Sequence, residues 1–243
     1  MKAANIVECR GLTKNFSGVK ALDHVDLTIG RGKVIGLLGP NGSGKTTFIK
    51  LLNGLIEPTF GEIVIDGQRP GVYTKSIVSY LPDKTYFASW MKVMDVLDIF
   101  EEFYEDFDRQ KAENMCRSMG IQSRDKIKTM SKGTKEKMQL ILVMSRKAQL
   151  YLLDEPIAGV DPAARDYILT TIINNYNESG TVLISTHLIS DIERILDEVI
   201  FIKDGKIVRH EAVDDIKEKE GKSIDDVFRD TFRMIPFYGG EQR

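Results

Sequence analysis

The stretch VIGLLGPNGSGKTT, residues 34–47, passes from an apolar run into a glycine-rich segment and then into helix-forming residues. It matches the pattern G-x-x-x-x-G-K-[ST] through Gly39, Gly44, Lys45 and Thr46. In such a loop, backbone N–H groups and the start of the following helix surround phosphate oxygens, and the lysine reaches the β- and γ-phosphates. The hydroxyl after the lysine ligates Mg²⁺. The segment therefore predicts a strand, a phosphate-binding loop and a helix from Lys45 to about Leu55.

The composition is that of a globular chain with a sizeable core. Of its 243 residues, 42% are hydrophobic and 29% are charged, with a formal net charge of −2. This charge gives no bulk attraction to nucleic acid or to anionic lipid. The two cysteines, Cys9 and Cys116, fit no disulfide framework and favour a reducing compartment. No apolar run approaches the roughly 20 residues that span a bilayer, and we expect no signal peptide at the N-terminus.

The order of the patterns predicts an α/β fold with a parallel-sheet core. Residues 1–83 hold short β-like runs and the phosphate loop. Residues 84–148 show apolar side chains at helical spacing and no convincing strand, which predicts a helical insert. Residues 149–210 return to apolar strands around a helix, as in a parallel sheet covered on both faces. Residues 211–243 have the pattern of short polar helices and form a tail to the same domain.

Two further apolar strands end in side chains that can act on a phosphate. LYLLDEP ends in Asp154 and Glu155, and TVLISTH ends in His187. Because parallel strands bring their carboxyl ends, where ligands bind, to one edge of a sheet, we expect these side chains beside the phosphate loop. Asp154 is then placed to hold Mg²⁺, Glu155 to polarise a water, and His187 to contact the γ-phosphate. The plainer alternatives are solvated acids and a structural histidine, which we expect for His24 and His210.

The segment MSKGTK, residues 130–135, places a serine and a glycine at the start of a helix, just upstream of the Asp-Glu strand. With the other motifs in this order, nearly the whole chain resembles the ATP-binding subunits of ABC transporters. The resemblance implies a P-loop NTPase (ABC ATPase) parallel-sheet core, an N-terminal antiparallel β region and a helical insert that carries the signature. It implies that Ser131 and Gly133 complete the site of a second subunit, around two ATP molecules with Mg²⁺. The ATP-binding residues that it implies are Phe16, Gly39, Pro40, Asn41, Gly42, Ser43, Gly44, Lys45, Thr46 and Thr47.

Some positions of the sequence depart from the family pattern, and others match it. The signature is usually L-S-G-G-Q, but Lys132 replaces its first glycine and Thr134 its glutamine. Asp83 follows Tyr-Leu-Pro, where the family usually has glutamine. Because it is an anion, we expect it to face the Mg²⁺ and the attacking water, with a passive loop acid as the alternative. Phe16 matches the aromatic that stacks on adenine, with a core aromatic as the alternative. Asp161 matches the loop that crosses the seam between two subunits.

An aromatic group opens the predicted helical insert. It comprises Tyr86, Phe87, Trp90 and Met91. Apolar groups of this density are typical of partner sites. The alternative is that they are core residues, which we would expect for Phe87 taken alone. In the family, a short cytoplasmic helix of the membrane permease docks beside this segment, so the resemblance implies that these four side chains line the docking groove. The implied partners are that permease and a second ATP-binding subunit, most simply a copy of this chain, at the cytoplasmic face of the membrane, with no nucleic acid.

The sequence is therefore interpreted as an ATPase subunit that energises an ABC transporter. The tail GKSIDDVFRDTF and the segment EPIAGVDPAARD resemble export-type (ABC-2) systems, whose substrates are drug, peptide or lipid-like. Two alternatives stay open. The first is a soluble ABC ATPase without a transport role, although translation-type members carry two cassettes and repair-type members a far longer insert. The second is a P-loop enzyme such as a small-molecule kinase, against which the signature segment argues.

Overall fold

The structure is a computed structural model that describes residues 5–232. It contains two β-sheets. A three-stranded antiparallel sheet has the order β2–β1–β4, and a six-stranded sheet has the order β5–β6–β7–β3–β8–β9. All neighbours in the larger sheet are parallel except β8 and β9, which are antiparallel. The strands are β1 (Asn5–Phe16), β2 (Val19–Gly30), β3 (Val34–Leu38), β4 (Phe60–Ile65), β5 (Val78–Leu81), β6 (Leu150–Asp154), β7 (Thr181–Thr186), β8 (Glu198–Lys203) and β9 (Lys206–Ala212).

The helices lie between and after these strands. Among the described residues, none is long and apolar enough to cross a membrane. Short 3₁₀ helices cover Ile127–Thr129 and Glu193–Ile195. The α-helices are α1 (Lys45–Leu52), α2 (Val72–Ile77), α3 (Val93–Phe103), α4 (Arg109–Ser118), α5 (Lys132–Met144), α6 (Pro162–Asn175), α7 (Ile189–Ile192), α8 (Val213–Glu220) and α9 (Ile224–Phe232).

The central strands are apolar on both faces because the sheet is covered on both sides. Every residue of β3, β6 and β7 is buried. Alternate side chains enter two cores: Leu152 and its neighbours pack with α1 and the antiparallel sheet, and Leu153 and its neighbours pack with helices α3 to α9. This arrangement confirms the predicted α/β class with its parallel core and antiparallel β region.

The segment between residues 84 and 148 is helical, as predicted. It contains α3, α4 and α5 and no strand. The predicted end of α1 near Leu55 is wrong, because the helix ends at Leu52. Gly54 has a φ of +62°, and the N–H groups of Gly54 and Leu55 donate to the carbonyls of Leu51 and Lys50. These are the two bonds of a Schellman motif, which closes a helix at a glycine.

Both cysteines are buried in the cores rather than exposed at a site. Cys9 lies in β1 and Cys116 in α4, with 3% and 4% of their surfaces exposed. Burial, with a smaller contribution from Asp26, raises the pKa of the Cys9 thiol to about 12. Burial, with a smaller contribution from Glu113, raises that of Cys116 to about 11. Neither thiol forms a disulfide.

The C-terminal helices pack on the edge of the larger sheet. Helices α8 and α9 follow β9, and Phe228 and Phe232 of α9 contact Phe201 of β8, with ring centroids 5.6 and 6.1 Å away. The predicted tail of short helices thus has two helices up to Phe232, and residues 233–243 lie outside the described residues.

Arg146 joins the helical segment to the larger sheet. Its side chain, which is only 2% exposed, follows α5 and donates to the carbonyls of Val78 and Ser76 at 2.6 and 2.5 Å. It also donates to Asp106 at 2.8 Å and lies 3.8 Å from the ring centroid of Tyr104. Since β5 begins at Val78, this one guanidinium links the end of α5, the loop before α4 and the sheet.

We expect Arg146→Met to lower the free energy of unfolding by about 2–3 kcal/mol, because it leaves one carboxylate and two carbonyls without their donor. The value lies below that of a fully buried ion pair because Asp106 is 23% exposed. Urea unfolding, with an unchanged slope, measures the loss. The control is Lys147→Met, whose 72% exposed side chain lies 3.9 Å from Asp108, and which should change stability by no more than about 0.5 kcal/mol. Equal midpoints for the two variants would contradict the structural role of Arg146.

Candidate active site

The strand order brings the predicted site residues to one edge of the larger sheet. Strand β7 lies between β3 and β6 and is parallel to both. The glycine-rich loop after β3, Asp154 at the end of β6, and His187 just after β7 therefore meet at the carboxyl edge. This is the edge at which open α/β sheets bind ligands.

The glycine-rich loop wraps around the side chain of Lys45. This lysine is 5% exposed, and its Nζ donates to the carbonyls of Gly39 and Pro40 at 2.8 and 3.3 Å. Two glycines are required by close backbone contacts. A Cβ at Gly39 would lie 2.5 Å from the carbonyl oxygen of Ile202, and Gly44 has a φ of +111°. The loop thus depends on glycine for its shape and holds its lysine at the centre.

Helix α1 presents an uncapped N-terminus to this edge. Its N-cap residue is Gly44, which has no side chain to accept a hydrogen bond from the first turn. The first N–H groups of a helix carry a partial positive charge and favour an anion such as phosphate. Thr46 and Thr47 lie in this first turn, so their backbone and hydroxyl groups stand where a phosphate would bind.

Asp154 is a fully buried carboxyl group with one oxygen partnered and one not. Its Oδ1 accepts hydrogen bonds from Ser185 Oγ at 2.7 Å and from Thr46 Oγ1 at 3.1 Å. Its Oδ2 has no hydrogen-bond partner among the described residues. Burial, with smaller contributions from the charges of Asp83 and Glu155, raises the pKa of Asp154. A buried carboxylate oxygen without a donor, next to a threonine hydroxyl, fits a hard cation such as Mg²⁺.

The protein ligands for such a cation are few. Within residues 5–232, no group of three or more His, Cys, Asp and Glu side chains is arranged to hold a metal ion. Mg²⁺ is usually bound by one or two carboxylates together with substrate phosphates and waters. The Thr46 and Asp154 pair is compatible with this mode.

Glu155 lies between the lysine and the histidine. Its Oε1 is 3.3 Å from Lys45 Nζ, and its Oε2 is 3.0 Å from His187 Nδ1. Its backbone has a φ of +51°, which is uncommon for a residue other than glycine, and its N–H donates to the carbonyl and hydroxyl of Ser185 at 3.1 and 3.0 Å. The sharp turn after β6 therefore aims Glu155 across the end of β7 toward the exposed His187.

One cavity of about 470 Å³ collects most of the predicted catalytic and phosphate-binding side chains. Lys132 and Glu136 of α5 also line it, with Lys132 Nζ 3.6 Å from Glu136 Oε1. The start of the chain's own α5 thus borders the phosphate loop. The predicted site residues that line this cavity are Asn41, Gly42, Gly44, Lys45, Thr46, Thr47, Asp83, Glu155 and His187.

The predicted signature and seam residues lie outside this cavity. The Ser131 hydroxyl caps α5 by accepting from Thr134 N at 3.1 Å, and it shares a 2.8 Å hydrogen bond with the Thr134 hydroxyl. Asp161 caps α6 by accepting from Ala164 N at 3.1 Å. Ser131, Gly133 and Asp161 line a neighbouring cavity of about 370 Å³, which also contacts Asp83, Asp154 and Glu155.

Phe16 lies apart from both cavities. It ends β1 at a tight hairpin, it is 45% exposed, and Lys14 Nζ lies 5.0 Å from the centroid of its ring. The structure thus contradicts the alternative of a core aromatic. The ring is available for stacking, and its adenine contact stays a prediction.

Only some residues of the predicted docking segment are exposed. The prediction is wrong for Met91, which is 8% exposed and belongs to the core. The reason is the local backbone: Met91 N–H donates to Ala88, and its carbonyl accepts from Ile127 N at 2.9 Å, which turns the side chain inward. Phe87 also packs against the core, whereas Tyr86 and Trp90 are exposed.

A groove of about 760 Å³ does lie beside this segment, between the helical segment and α2. Of the four predicted docking residues, only Tyr86 lines it. Its other apolar lining residues were not among the predicted docking residues, because they come from separate parts of the chain. They include Leu55, Val72, Ile99, Phe100 and Phe103.

Sequence reasoning missed two buried polar residues at the site. Ser185, in β7, contacts both Asp154 and Glu155. Gln139, in α5, is 1% exposed and lines the cavity that holds Ser131. Ser185 directly follows the apolar run VLI of TVLISTH, and Gln139 interrupts MQLILVM. A polar residue next to or within such a run is itself a signal, because burying a polar group needs a partner.

Comparison with known proteins agrees with this geometry. A family model described as ABC transporter matches residues 22–158, which include the glycine-rich loop, α5 and the Asp154 strand end. The chain belongs to the ABC transporter family. The ABC transporter ATP-binding protein YtrB of Bacillus subtilis is 32% identical over 219 residues, covering 88% of this chain and 74% of YtrB. This chain is likewise an ATP-binding protein of the family and an ATPase, as predicted.

A second relative and a solved structure are also similar to this chain. The SkfA peptide export ATP-binding protein SkfE of Bacillus subtilis is 27% identical, covering 88% of this chain and 92% of SkfE. A solved structure shows the ATP-binding cassette MJ0796 as a dimer in a post-hydrolysis state with ADP and Pi. It has a TM-score of 0.75 and 21% identity, and covers 85% of this chain and 98% of that one, a likeness that shows the ABC ATPase fold.

We expect Asp154→Asn to stabilise the nucleotide- and metal-free protein at pH 8 while abolishing hydrolysis. The pKa of Asp154 in the native state lies above its value in the unfolded state, so the ionised carboxylate lowers the free energy of unfolding. This loss is complete at a pH above the native pKa, and it vanishes at a pH below the unfolded pKa. The melting temperature should rise by about 2 °C or more, and the gain should shrink as the pH falls toward 4. Asp166→Asn, at a 71% exposed position, should show no such gain. A lower melting temperature for Asp154→Asn at pH 8 would contradict this reading.

Proposed function

We propose that the chain is the energising subunit of an ABC transporter and hydrolyses Mg²⁺-ATP at the edge of its larger sheet. The observation that carries the proposal is the buried Asp154 carboxyl beside the phosphate loop. Thr46 Oγ1 lies 3.1 Å from one of its oxygens, and the other oxygen has no donor within residues 5–232. A carboxylate kept ionised in this position needs a cation, and phosphates bound at the loop would supply further ligands of that cation.

The proposed roles follow from the contacts. Lys45 and the N-terminus of α1 bind the β- and γ-phosphates, and Thr46 and Asp154 hold Mg²⁺, which would neutralise phosphate charge when bound. Glu155 accepts a proton from the attacking water as that water's oxygen bonds to the γ-phosphorus and the bond to ADP breaks. His187, 3.0 Å from Glu155, orients this carboxylate and contacts the γ-phosphate.

The metal side of the site includes Asp83. It follows β5, which pairs with β6, so it stands beside the strand that ends in Asp154. Its charge contributes to the raised pKa of Asp154, and it lines the same cavity as Thr46 and Glu155. We assign Asp83 to the Mg²⁺ and the attacking water, in the place of the glutamine that the family usually has.

Two subunits are proposed to assemble around two ATP molecules. Ser131 and Gly133 are exposed at the start of α5 and do not line the cavity of their own phosphate loop, so they are free to contact nucleotide held by a second copy. Asp161, also exposed, would lie at the seam. The dimeric MJ0796 cassette with ADP and Pi supports this arrangement.

The transporter itself is proposed to be an exporter. The relative SkfE is named as a peptide export protein, and this agrees with the ABC-2-like tail. The permease is proposed to dock at the groove beside Tyr86, which would hold this subunit at the cytoplasmic face of the membrane. The apolar lining of the groove suits one face of a short amphipathic helix.

Glu155→Gln should keep ATP binding, lower hydrolysis by about 10²- to 10⁴-fold, and give a stable ATP-dependent dimer, because it removes the proton acceptor and leaves the phosphate contacts. Size-exclusion chromatography with and without ATP, and steady-state hydrolysis, measure these effects. Glu178→Gln, at an exposed position before β7, is the control and should behave as the natural protein. If the Glu155 variant binds ATP and stays monomeric, the dimer proposal fails.

For the groove, Phe103→Ala should weaken association with the permease by about 2 kcal/mol, as the loss of a central aromatic anchor does. Phe103 is 74% exposed, so the melting temperature of the free subunit should stay the same. Co-purification from detergent-solubilised membranes measures the association. The matched control is Trp90→Ala, a 76% exposed aromatic outside the groove, which should have the smaller effect. A larger effect of Trp90→Ala would move the contact out of the groove.

A further inference from the structure

Helix α5 is tied to β5 and to the loop after it by side chains at three levels. Near its C-terminal end, Arg146 bonds to the start of β5. One turn earlier, Ser79 Oγ of β5 donates to the carbonyl of Val143 at 3.0 Å. Nearest the active site, Gln139 bonds to the loop that holds Asp83. The helix therefore lies along β5, and its last link falls at the catalytic edge.

The Gln139 amide contacts the backbone on both sides of Asp83. Its Nε2 donates to the carbonyl of Pro82 at 3.1 Å and, more weakly, to that of Lys84 at 3.4 Å. Only the NH₂ end of an amide can donate to two carbonyls, so these contacts fix the orientation of the side chain. One amide thus holds the carbonyl groups of the residues before and after Asp83.

A purely space-filling role does not explain this residue. Gln139 is 1% exposed, and its Oε1 has no hydrogen-bond partner among the described residues. An apolar side chain of similar length would fill the same volume without burying an unpaired acceptor, which costs free energy. The neighbouring positions Met138 and Leu140 are apolar and buried. The amide at position 139 therefore points to a need for its two donated bonds.

We propose that Gln139 is a positioning residue that holds the Asp83 loop on α5, so that the Asp83 carboxylate faces the metal side of the site. Because Ser131 caps α5 and Gly133 lies in its first turn, the same helix would tie the loop that faces the chain's own phosphate site to the residues offered to a second copy. This inference rests on the role of Asp83 in the proposed function.

The test compares Gln139→Met, Asp83→Ala and the double variant in the full chain. The readouts are the Mg²⁺ concentration that gives half-maximal ATP hydrolysis, ATP binding without Mg²⁺, and the melting temperature. Gln139→Met should raise the Mg²⁺ requirement by about tenfold, the lower end of the range for groups that support a metal ligand, and leave metal-free ATP binding unchanged. Since Gln139 acts through Asp83, the double variant should need no more Mg²⁺ than Asp83→Ala alone.

A matched control separates positioning from packing. Ser79→Ala removes a different side-chain link between β5 and α5, away from Asp83, and should lower the melting temperature without changing the Mg²⁺ requirement. If Gln139→Met does not fold, Gln139→Glu, which keeps the size and loses the donating amide, takes its place in the same comparison and should shift the Mg²⁺ requirement in the same direction.

The outcomes distinguish the two proposals. If Asp83→Ala raises the Mg²⁺ requirement and the Gln139 variant does not, or if the two effects multiply in the double variant, the inference about Gln139 is overturned and the proposed function stands. If Asp83→Ala leaves the Mg²⁺ requirement unchanged, the metal-side role of Asp83 fails, and the inference about Gln139 fails with it.

Discussion

The burial of the Asp154 carboxyl is the interaction on which the rest of the site depends. Ser185 on β7 and Thr46 at the start of α1 both bond to the same oxygen of this group. These contacts exist only because β7 lies between β3 and β6, which sets the three carboxyl ends side by side. A buried, half-satisfied charge is costly in the free protein, so the arrangement trades stability for a cation and nucleotide site that is already formed.

Helix α5 connects the parts of the molecule that have to act together. Its first residues border the phosphate loop, its middle contacts the Asp83 loop, and the residue after its C-cap is buried against β5. Each of these contacts joins the helix to a different part of the sheet or its loops. A displacement of α5 would therefore shift residues at both the groove and the nucleotide-binding edge. Packed side chains and rigid secondary elements of this kind are one way in which coupling between two sites is carried.

Much of this could be predicted because the strongest signals are local. The loop around Lys45 and the acids after β6 are contiguous in sequence, and the parallel order of strands is enough to bring them together. Met91 was misjudged because its direction is set by a turn and by a bond from Ile127, which no pattern within its own segment reveals. Ser185 and Gln139 were not predicted as site residues, because the partners of their side chains lie far away in the chain. Contacts that depend on strand register and on residues far apart in the chain cannot be predicted from a single local segment.

The burial of both thiols has a practical consequence for measuring motion. The chain contains only two cysteines, and both have thiol pKa values raised to about 12 and about 11, so almost none of either is present as the reactive thiolate near neutral pH. A cysteine introduced at an exposed position such as Trp90 or Lys132 would therefore be the one readily labelled sulfur in an otherwise natural sequence. Fluorescent or spin labels could then report distances between subunits, with the native cysteines left in place in the cores that they help to fill.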